Sequence, residues 1–574
     1  MSTAIRDPEY VTLAKLLNGR LFRIPEYQRY YRWRDSQRKD LFDDIRKSQG
    51  QDRSHFMATI NVYDRNEPLI INTDEYVQYD IVDGQQRLTT LVILLKAIAI
   101  TAEKDPSAES QRIAREISSL LVKDDQYRTI LLQTNHKSRE LFQDYLCKGT
   151  SPTGGQQDVL AAKAVADAIR ECGEFVRTWI DSSNGESTGK SLTRLVSHLK
   201  NRLTFILHAV GEKQHVYTVF EVLNSRGLLV SWLDRLKSML MDRACTADGG
   251  DALVQELEGT WAEVYRVMGL RDLGPEVVRF SGILHTGVKE LSEEGSVRRL
   301  LQHVDDGQDR KRAARIREIA QLILNVTRAS DEINADRRRR AVLDIAHVRI
   351  VAAASTEWLS PQYAPHERQA IERRWESVAF RVFGLARRDA RVHKGEFTGI
   401  AKRMRQEENP TEILRSLDEI GNGEYAVETV AENLRDQKVY GWWLSNSELA
   451  YLLYKYEEHL ARERKSWDPE LAAAWQKVWT EGPEQSIEHI SPQSAAEEWK
   501  DRLGNLMLIP LKVNRELQDK PPKVKARDVY KPCGGQSARE VADRITQNDG
   551  RWALEDVEWR EEKLLKWVKQ EWAV

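Results

Sequence analysis

Near the C-terminus an acid-base pair, Glu488-His489, stands between Ile487 and Ile490-Ser491-Pro492. Gly504-Asn505-Leu506 places an asparagine sixteen residues after the histidine, Asn514 follows nine residues later, and Lys520 comes after it. Hydrolysis of a phosphodiester needs a base to activate water, a divalent cation to neutralise charge on the non-bridging oxygen and leaving group, and rigid placement of both. An isolated Glu-His pair says little, because surface helices offer many; the ordered set says more. Pro492 is suited to stopping a strand, Gly504 to permitting a turn before Asn505, and the run from Lys512 to Lys520 to forming a helix.

A second group lies in the first part of the chain. In Asp80-Ile81-Val82-Asp83-Gly84-Gln85-Gln86-Arg87-Leu88 a glycine turn joins a strand-like run to a helix start. Backbone amides there can approach an anion, and an adjacent arginine can clamp phosphate oxygens in bidentate fashion. Such a site suits nucleotide phosphates or a DNA backbone, although on spacing alone a glycine turn beside a surface arginine is an equal reading. Two further segments accompany it: Ile24-Pro25-Glu26-Tyr27-Gln28-Arg29-Tyr30-Tyr31-Arg32-Trp33, and Phe220-Glu221-Val222-Leu223-Asn224-Ser225-Arg226-Gly227 with Ser231, Asp234 and Lys237 behind it. Gly185-Glu186-Ser187-Thr188-Gly189-Lys190-Ser191 imitates a phosphate-binding loop, but only three residues separate its glycines, where that motif requires four. We read it as a surface loop.

The C-terminal set resembles the ββα-metal, or HNH, nuclease pattern, in which an acid-His pair ends one strand, an Asn-Leu pair opens the next and a helix supplies the last polar ligand. That resemblance implies His489 as general base, Glu488 and Asn514 as holders of Mg2+ or Mn2+, Asn505 as the bridge that shapes the histidine-bearing loop, and Lys520 as a phosphate contact. The Asp-Gly-Gln-Gln-Arg, Pro-x-Tyr-Gln-Arg and Asn-Ser-Arg-Gly strings resemble the N-terminal domain of GmrSD-type modification-dependent restriction proteins, whose fold is related to ParB and sulfiredoxin and which carry a C-terminal HNH domain. The resemblance covers almost the whole chain. It implies hydrolysis of GTP or another NTP, with Asp83, Gly84, Gln85, Gln86 and Arg87 contacting phosphates and water and Arg29, Asn224 and Arg226 closing the pocket. It also implies modified double-stranded DNA as the trigger, and the modification enzymes of the same antiphage system as indirect partners.

One departure bears on what is sensed. Family members commonly have proline where this chain has Tyr30, which makes an aromatic segment of Tyr27, Tyr30, Tyr31 and Trp33 beside Pro25 and Gln28. A more apolar pocket suits the poorly hydrated sulfur of a phosphorothioate better than a glucosylated or hydroxymethylated cytosine, which needs many hydrogen bonds. This points to the phosphorothioate-sensing branch, although Tyr30 as a packing residue is an equal reading. A single HNH site cuts one strand per event, so a monomer is expected to nick, and a double-strand break requires a homodimer or repeated nicking. The rival is a nucleotide-gated DNA-binding regulator with an inactive nuclease fold.

The elements that must position these groups are partly legible. His55 to Tyr63, Val77 to Val82 and Arg202 to Leu207 read as strands, and Leu88, Leu91, Leu94 and Leu95 recur at helical spacing directly after Gly84. Ser182 to Lys190 reads as a loop. From 246 to 425 the pattern is nearly all helical, as in Leu253, Leu257, Trp261 and Val264. The last section opens with an amphipathic helix over Leu449 to Tyr456. The expected fold is α+β and mostly helical, with a ParB-like α/β domain over 1–245, a helical linker or bundle over 246–425 and an HNH domain over 426–574. Zinc-knuckle CxxC pairs are absent, so Trp499, Trp552, Trp559, Trp567 and Trp572 are expected to pack that last domain.

Bulk composition agrees. The 574 residues are 41% hydrophobic and 31% charged, with a net charge of −2, and no apolar run approaches the roughly 20 residues that span a bilayer. We expect a cytoplasmic protein with no membrane partner. The four cysteines, at 147, 172, 245 and 533, are too scattered for a disulfide framework. DNA affinity comes from local phosphate neutralisation rather than from the global sum. The basic runs Arg310-Lys311-Arg312, Arg337 to Arg340 and Arg373 to Arg391 are read as solvated helix faces paired with neighbouring acids.

Overall fold

The computed structural model describes residues 8–25, 28, 31–49, 54–123, 129–133, 139–150, 160–183, 185–211, 231–247, 249–269, 271–289, 291–306, 311–335, 346–436, 438–463, 486–517, 519–532 and 535–573. They form two compact units, one of residues 1–278 with 293–327 and one of residues 279–292 with 328–574. The helical stretch 246–425 is thus divided between the two. The α+β, mostly helical architecture is as the sequence implies.

The first unit is built on a mixed sheet of β1 (Glu9–Thr12), β2 (Arg20–Ile24), β3 (His55–Asp64), β4 (Leu69–Ile71), β5 (Asp74–Asp83), β6 (Leu131–Gln133) and β7 (Leu203–Val210). The strand order is β1-β7-β3-β5-β2-β6, with β4 on β5. β3 runs parallel to β7 and antiparallel to β5, while β2 runs parallel to both β5 and β6. The three strands read from sequence are β3, β5 and β7, each a little longer than its β-branched run. The helix Gln85–Glu103 starts immediately after Gly84 and is apolar on nearly every side. A helix of that kind must be buried, and Leu88, Val92, Ile93, Leu94 and Ile98 are fully enclosed against the sheet and its neighbours.

The loop expected over 182–190 is shorter than the sequence suggests. Ser187 Oγ accepts from the Lys190 amide at 3.4 Å and caps the helix Thr188–Arg202, so Thr188-Gly189-Lys190 form its first turn. The helix Leu160–Asp181 precedes this turn, so the phosphate-loop look-alike lacks the strand it would need.

In the second unit β8 (Ile487–His489) pairs antiparallel with β9 (Leu506–Leu508), and the helix Leu511–Leu517 follows. Trp552 is buried in a core on which Trp499 packs, while Trp567 and Trp572 are buried against each other, Tyr456 and Phe380. Trp559 instead lies half-buried between the cations of Arg544 and Lys563. Of the basic runs, Arg374 pairs with Asp418, Arg388 with Glu424 at 2.8 Å and Arg391 with Asp389 at 2.8 Å, while Arg381 is buried. Arg310 and the run 337–340 lie outside the described residues. Among the described residues no helix is long and apolar enough to cross a membrane.

Candidate functional site

The first-unit motifs meet at the junction of β5 with the helix Gln85–Glu103. Gly84 adopts φ +94°, a left-handed conformation that an L side chain resists, and a Cβ there would press on Ile60 Cγ1 at 3.2 Å and the Thr59 carbonyl at 3.3 Å. The turn leaves the helix N-terminus without a side-chain cap, so its first amides have no partner within the helix. Arg87, one turn in and half-buried, has no ion-pair or hydrogen-bond partner among the described residues. It is therefore available to an anion.

Hydrogen bonds tie the aromatic segment to this junction. Gln86 Oε1 accepts from the amides of Arg32 at 2.8 Å and Trp33 at 3.3 Å. Gln28 Nε2 donates to the Val82 carbonyl at 3.0 Å, and the hydroxyls of Tyr31 and Thr90 bond at 2.8 Å. Two strings more than fifty residues apart in sequence are thus one local structure. Gln85, Gln86, Gln28 and Pro25 are buried, Asp83 and Trp33 half-buried. Tyr31 is 4% exposed and belongs to the core, where burial pushes its hydroxyl up to about 12. Its ring packs the fold instead of lining open space. Tyr27, Arg29, Tyr30, Asn224 and Arg226 lie outside the described residues.

The C-terminal set is brought together around β8. His489, buried on the strand end, has Nε2 3.2 Å from Asp501 Oδ1 and lies edge-on to the Tyr440 ring at 4.6 Å. Burial pulls its imidazole down to about 4, against the opposing pull of Asp501. The ring is therefore neutral near pH 7. With its proton on Nε2 and shared with Asp501, Nδ1 is left as the acceptor, the state a general base requires.

Asn505 is fully buried in the turn Leu503–Asn505, and its amide makes four hydrogen bonds. Oδ1 accepts from the Ser491 amide at 2.8 Å and from Trp552 Nε1 at 3.1 Å; Nδ2 donates to the carbonyls of Ser491 at 3.1 Å and Lys500 at 2.7 Å. It clasps the loop that follows His489. Asn514 Nδ2 donates to the Ile487 carbonyl at 3.1 Å, tying the helix Leu511–Leu517 to β8. Lys520 is exposed.

Glu488 projects from β8 between Ile487 and His489, and so to the other face of the strand. Its Oε1 accepts from Lys525 Nζ and from the Tyr530 hydroxyl, each at 2.7 Å. Both side-chain donors are on Oε1, and the His489 backbone amide also bonds the carboxylate. Burial raises the carboxyl, with Lys525 acting against that shift. A carboxylate oxygen with no side-chain donor among the described residues fits a hard cation that keeps most of its own water. No group of three or more His, Cys, Asp or Glu side chains is placed for a metal among the described residues, so phosphate and water oxygens would complete the shell.

Gly504 serves differently from the turn role read from sequence. Its φ is not positive; instead the Val557 carbonyl stands where a Cβ would be. The helix Leu554–Glu571 packs directly on the turn, and Arg560 donates to the carbonyls of Gly504, at 3.0 Å, and Leu506. Glu561, fully buried, holds Arg502 in the same turn. Buried arginine clamps thus join Trp552 in doing what a zinc knuckle would do.

Sequence reasoning missed Asp501, Tyr440, Lys525, Tyr530 and the Arg560-Glu561 pair. None of them lies in a motif or at a spacing that the sequence singles out.

Residues 13–241 match the family model described as GmrSD restriction endonuclease, N-terminal domain, and residues 426–567 match GmrSD restriction endonucleases, C-terminal domain. No curated protein matches. Both matched segments contain their motif sets, in the family's order, and the chain belongs to the GmrSD restriction endonucleases.

Proposed function

We propose that this restriction endonuclease nicks DNA at His489, in a reaction that depends on Mg2+ or Mn2+, and that its first unit senses a DNA modification, phosphorothioate before glucosylated or hydroxymethylated cytosine, and hydrolyses GTP or another NTP in a step coupled to that cleavage. The observation that carries the nuclease reading is the buried His489 hydrogen-bonded to Asp501 beside the Asn505 clasp. Nδ1 of His489 takes a proton from the attacking water, and Asp501 holds the ring in the tautomer that leaves Nδ1 open. Glu488 and Asn514 would hold the cation, which when bound supplies charge neutralisation at the scissile phosphate. Asn505 keeps the loop after the base in one shape.

The sensing and NTP readings are supported by the left-handed Gly84 turn at the helix start, by Arg87, which has no partner among the described residues, and by the hydrogen bonds that join Gln86 to the aromatic segment. Phosphate oxygens would meet the first-turn amides and Arg87. A change in the aromatic segment would reach the pocket through Gln86.

The test measures NTP hydrolysis and plasmid nicking together, for wild type and Arg87→Ala on phosphorothioated, glucosylated and plain plasmid. The expected result is that wild type hydrolyses GTP or ATP with a response to the phosphorothioated plasmid, and that R87A loses hydrolysis together with the response of its nicking to the modification. Hydrolysis by R87A at the wild-type rate would remove the pocket from the reading. Nicking by the wild type rules out the rival, a regulator with an inactive nuclease fold.

A further inference from the structure

Glu488 is gripped by two side chains that neither motif includes. Lys525 Nζ donates to Glu488 Oε1 and to the His489 carbonyl, each at 2.7 Å, and the Tyr530 hydroxyl donates to the same Oε1 at 2.7 Å. Both donors are sealed from solvent, at 1% and 0% exposure. A buried ammonium is costly unless it is paired and hydrogen-bonded, so this lysine is held where it is by Glu488 and the strand backbone.

The backbone makes an unusual accommodation to bring both donors to one atom. In an α-helix of 3.6 residues per turn, residues five apart point roughly 140° away from each other and cannot meet at one oxygen. Here the short helix Pro522–Lys525 passes into a π-helical turn, Ala526–Tyr530, where the Lys531 amide donates to the Ala526 carbonyl five residues back. That wider turn stacks residues five apart, which is the spacing of Lys525 and Tyr530. Such single π-turns are rare and occur frequently at functional sites. A carboxylate has room for donors on both oxygens, so neutralising a buried acid would not require both on Oε1.

We infer that Lys525 and Tyr530 are positioning residues of the nuclease centre: together they occupy Glu488 Oε1, reserve Oε2 for the divalent cation, and through the His489 carbonyl fix the strand that carries the base. This rests on the metal-site reading above. Outer partners of metal ligands of this kind set affinity without touching the metal.

The experiment is Mn2+ binding to the full chain, followed by the loss of the free-ion electron paramagnetic resonance signal, with thermal unfolding recorded on the same samples. Wild type binds Mn2+ and E488Q does not, which assigns the binding to this centre. Y530F, which loses only a hydroxyl, and K525M each raise the dissociation constant on the order of tenfold, while K525R, which keeps a charged donor, recovers part of the loss. Y530F carries the test if K525M fails to fold. Unchanged affinity in the folded variants overturns the inference, as does tighter binding by K525M, which would make the ammonium a competitor for the cation's place. A wild type that takes up no Mn2+ overturns the metal-site reading and this inference with it.

Discussion

At His489 the protein sets the state of a base with few groups. Burial removes the proton and Asp501 orients the ring, so Asp501→Asn should keep the fold but lose the tautomer preference. We expect the nicking rate of D501N to fall by about 10²-fold, the scale of a misplaced catalytic group, with the metal requirement little changed; initial rates across a Mn2+ titration check this. Asn505 acts by holding, not by reacting. Asn505→Ala strands buried partners on Ser491, Lys500 and Trp552, each costing about 1–3 kcal/mol, so this variant should melt well below the wild type and lose nicking with its fold. Asn505 was legible in the sequence because the loop it clasps is fixed by spacing from His489. Asp501 was not, because one acid among 89 Asp and Glu residues gains meaning only when the turn brings it back to β8.

Elements were legible to the degree that local pattern determines them. β3, β5 and β7 follow from β-branched runs, and the helix after Gly84 follows from its leucine spacing and its glycine turn. The short helix Leu511–Leu517 stops before the expected Lys520, and Ser187 starts a helix inside an expected loop, because capping and not periodicity decides those ends. Gly504 is the clearest case of a residue correctly singled out for another reason. Its backbone is ordinary; the obstacle is the Val557 carbonyl of a helix some fifty residues later. Gly504→Ala should therefore push the helix Leu554–Glu571 off the turn and cost at least the roughly 1–3 kcal/mol of an overpacked core, visible as a lower melting temperature. A wild-type melting temperature for G504A would mean that the helix does not rest on that turn. The Lys525-Tyr530 pair was illegible for a related reason: a π-turn has no period that a sequence reveals.

At the scale of the whole molecule, the family's two domains account for the two motif sets, and each unit contains one of them. A net charge of −2 leaves DNA affinity to local groups, so nicking should weaken steeply as salt rises. Every step downstream of recognition converges on His489, where DNA is proposed to be cut. Plasmid nicking in Mn2+ by wild type and folded His489→Ala tests this directly. Wild type should convert supercoiled plasmid to open circle in a reaction abolished by chelator, and H489A should lose at least about 10²-fold of that rate, the share that a general base contributes. Nicking by H489A at the wild-type rate would contradict this role for His489.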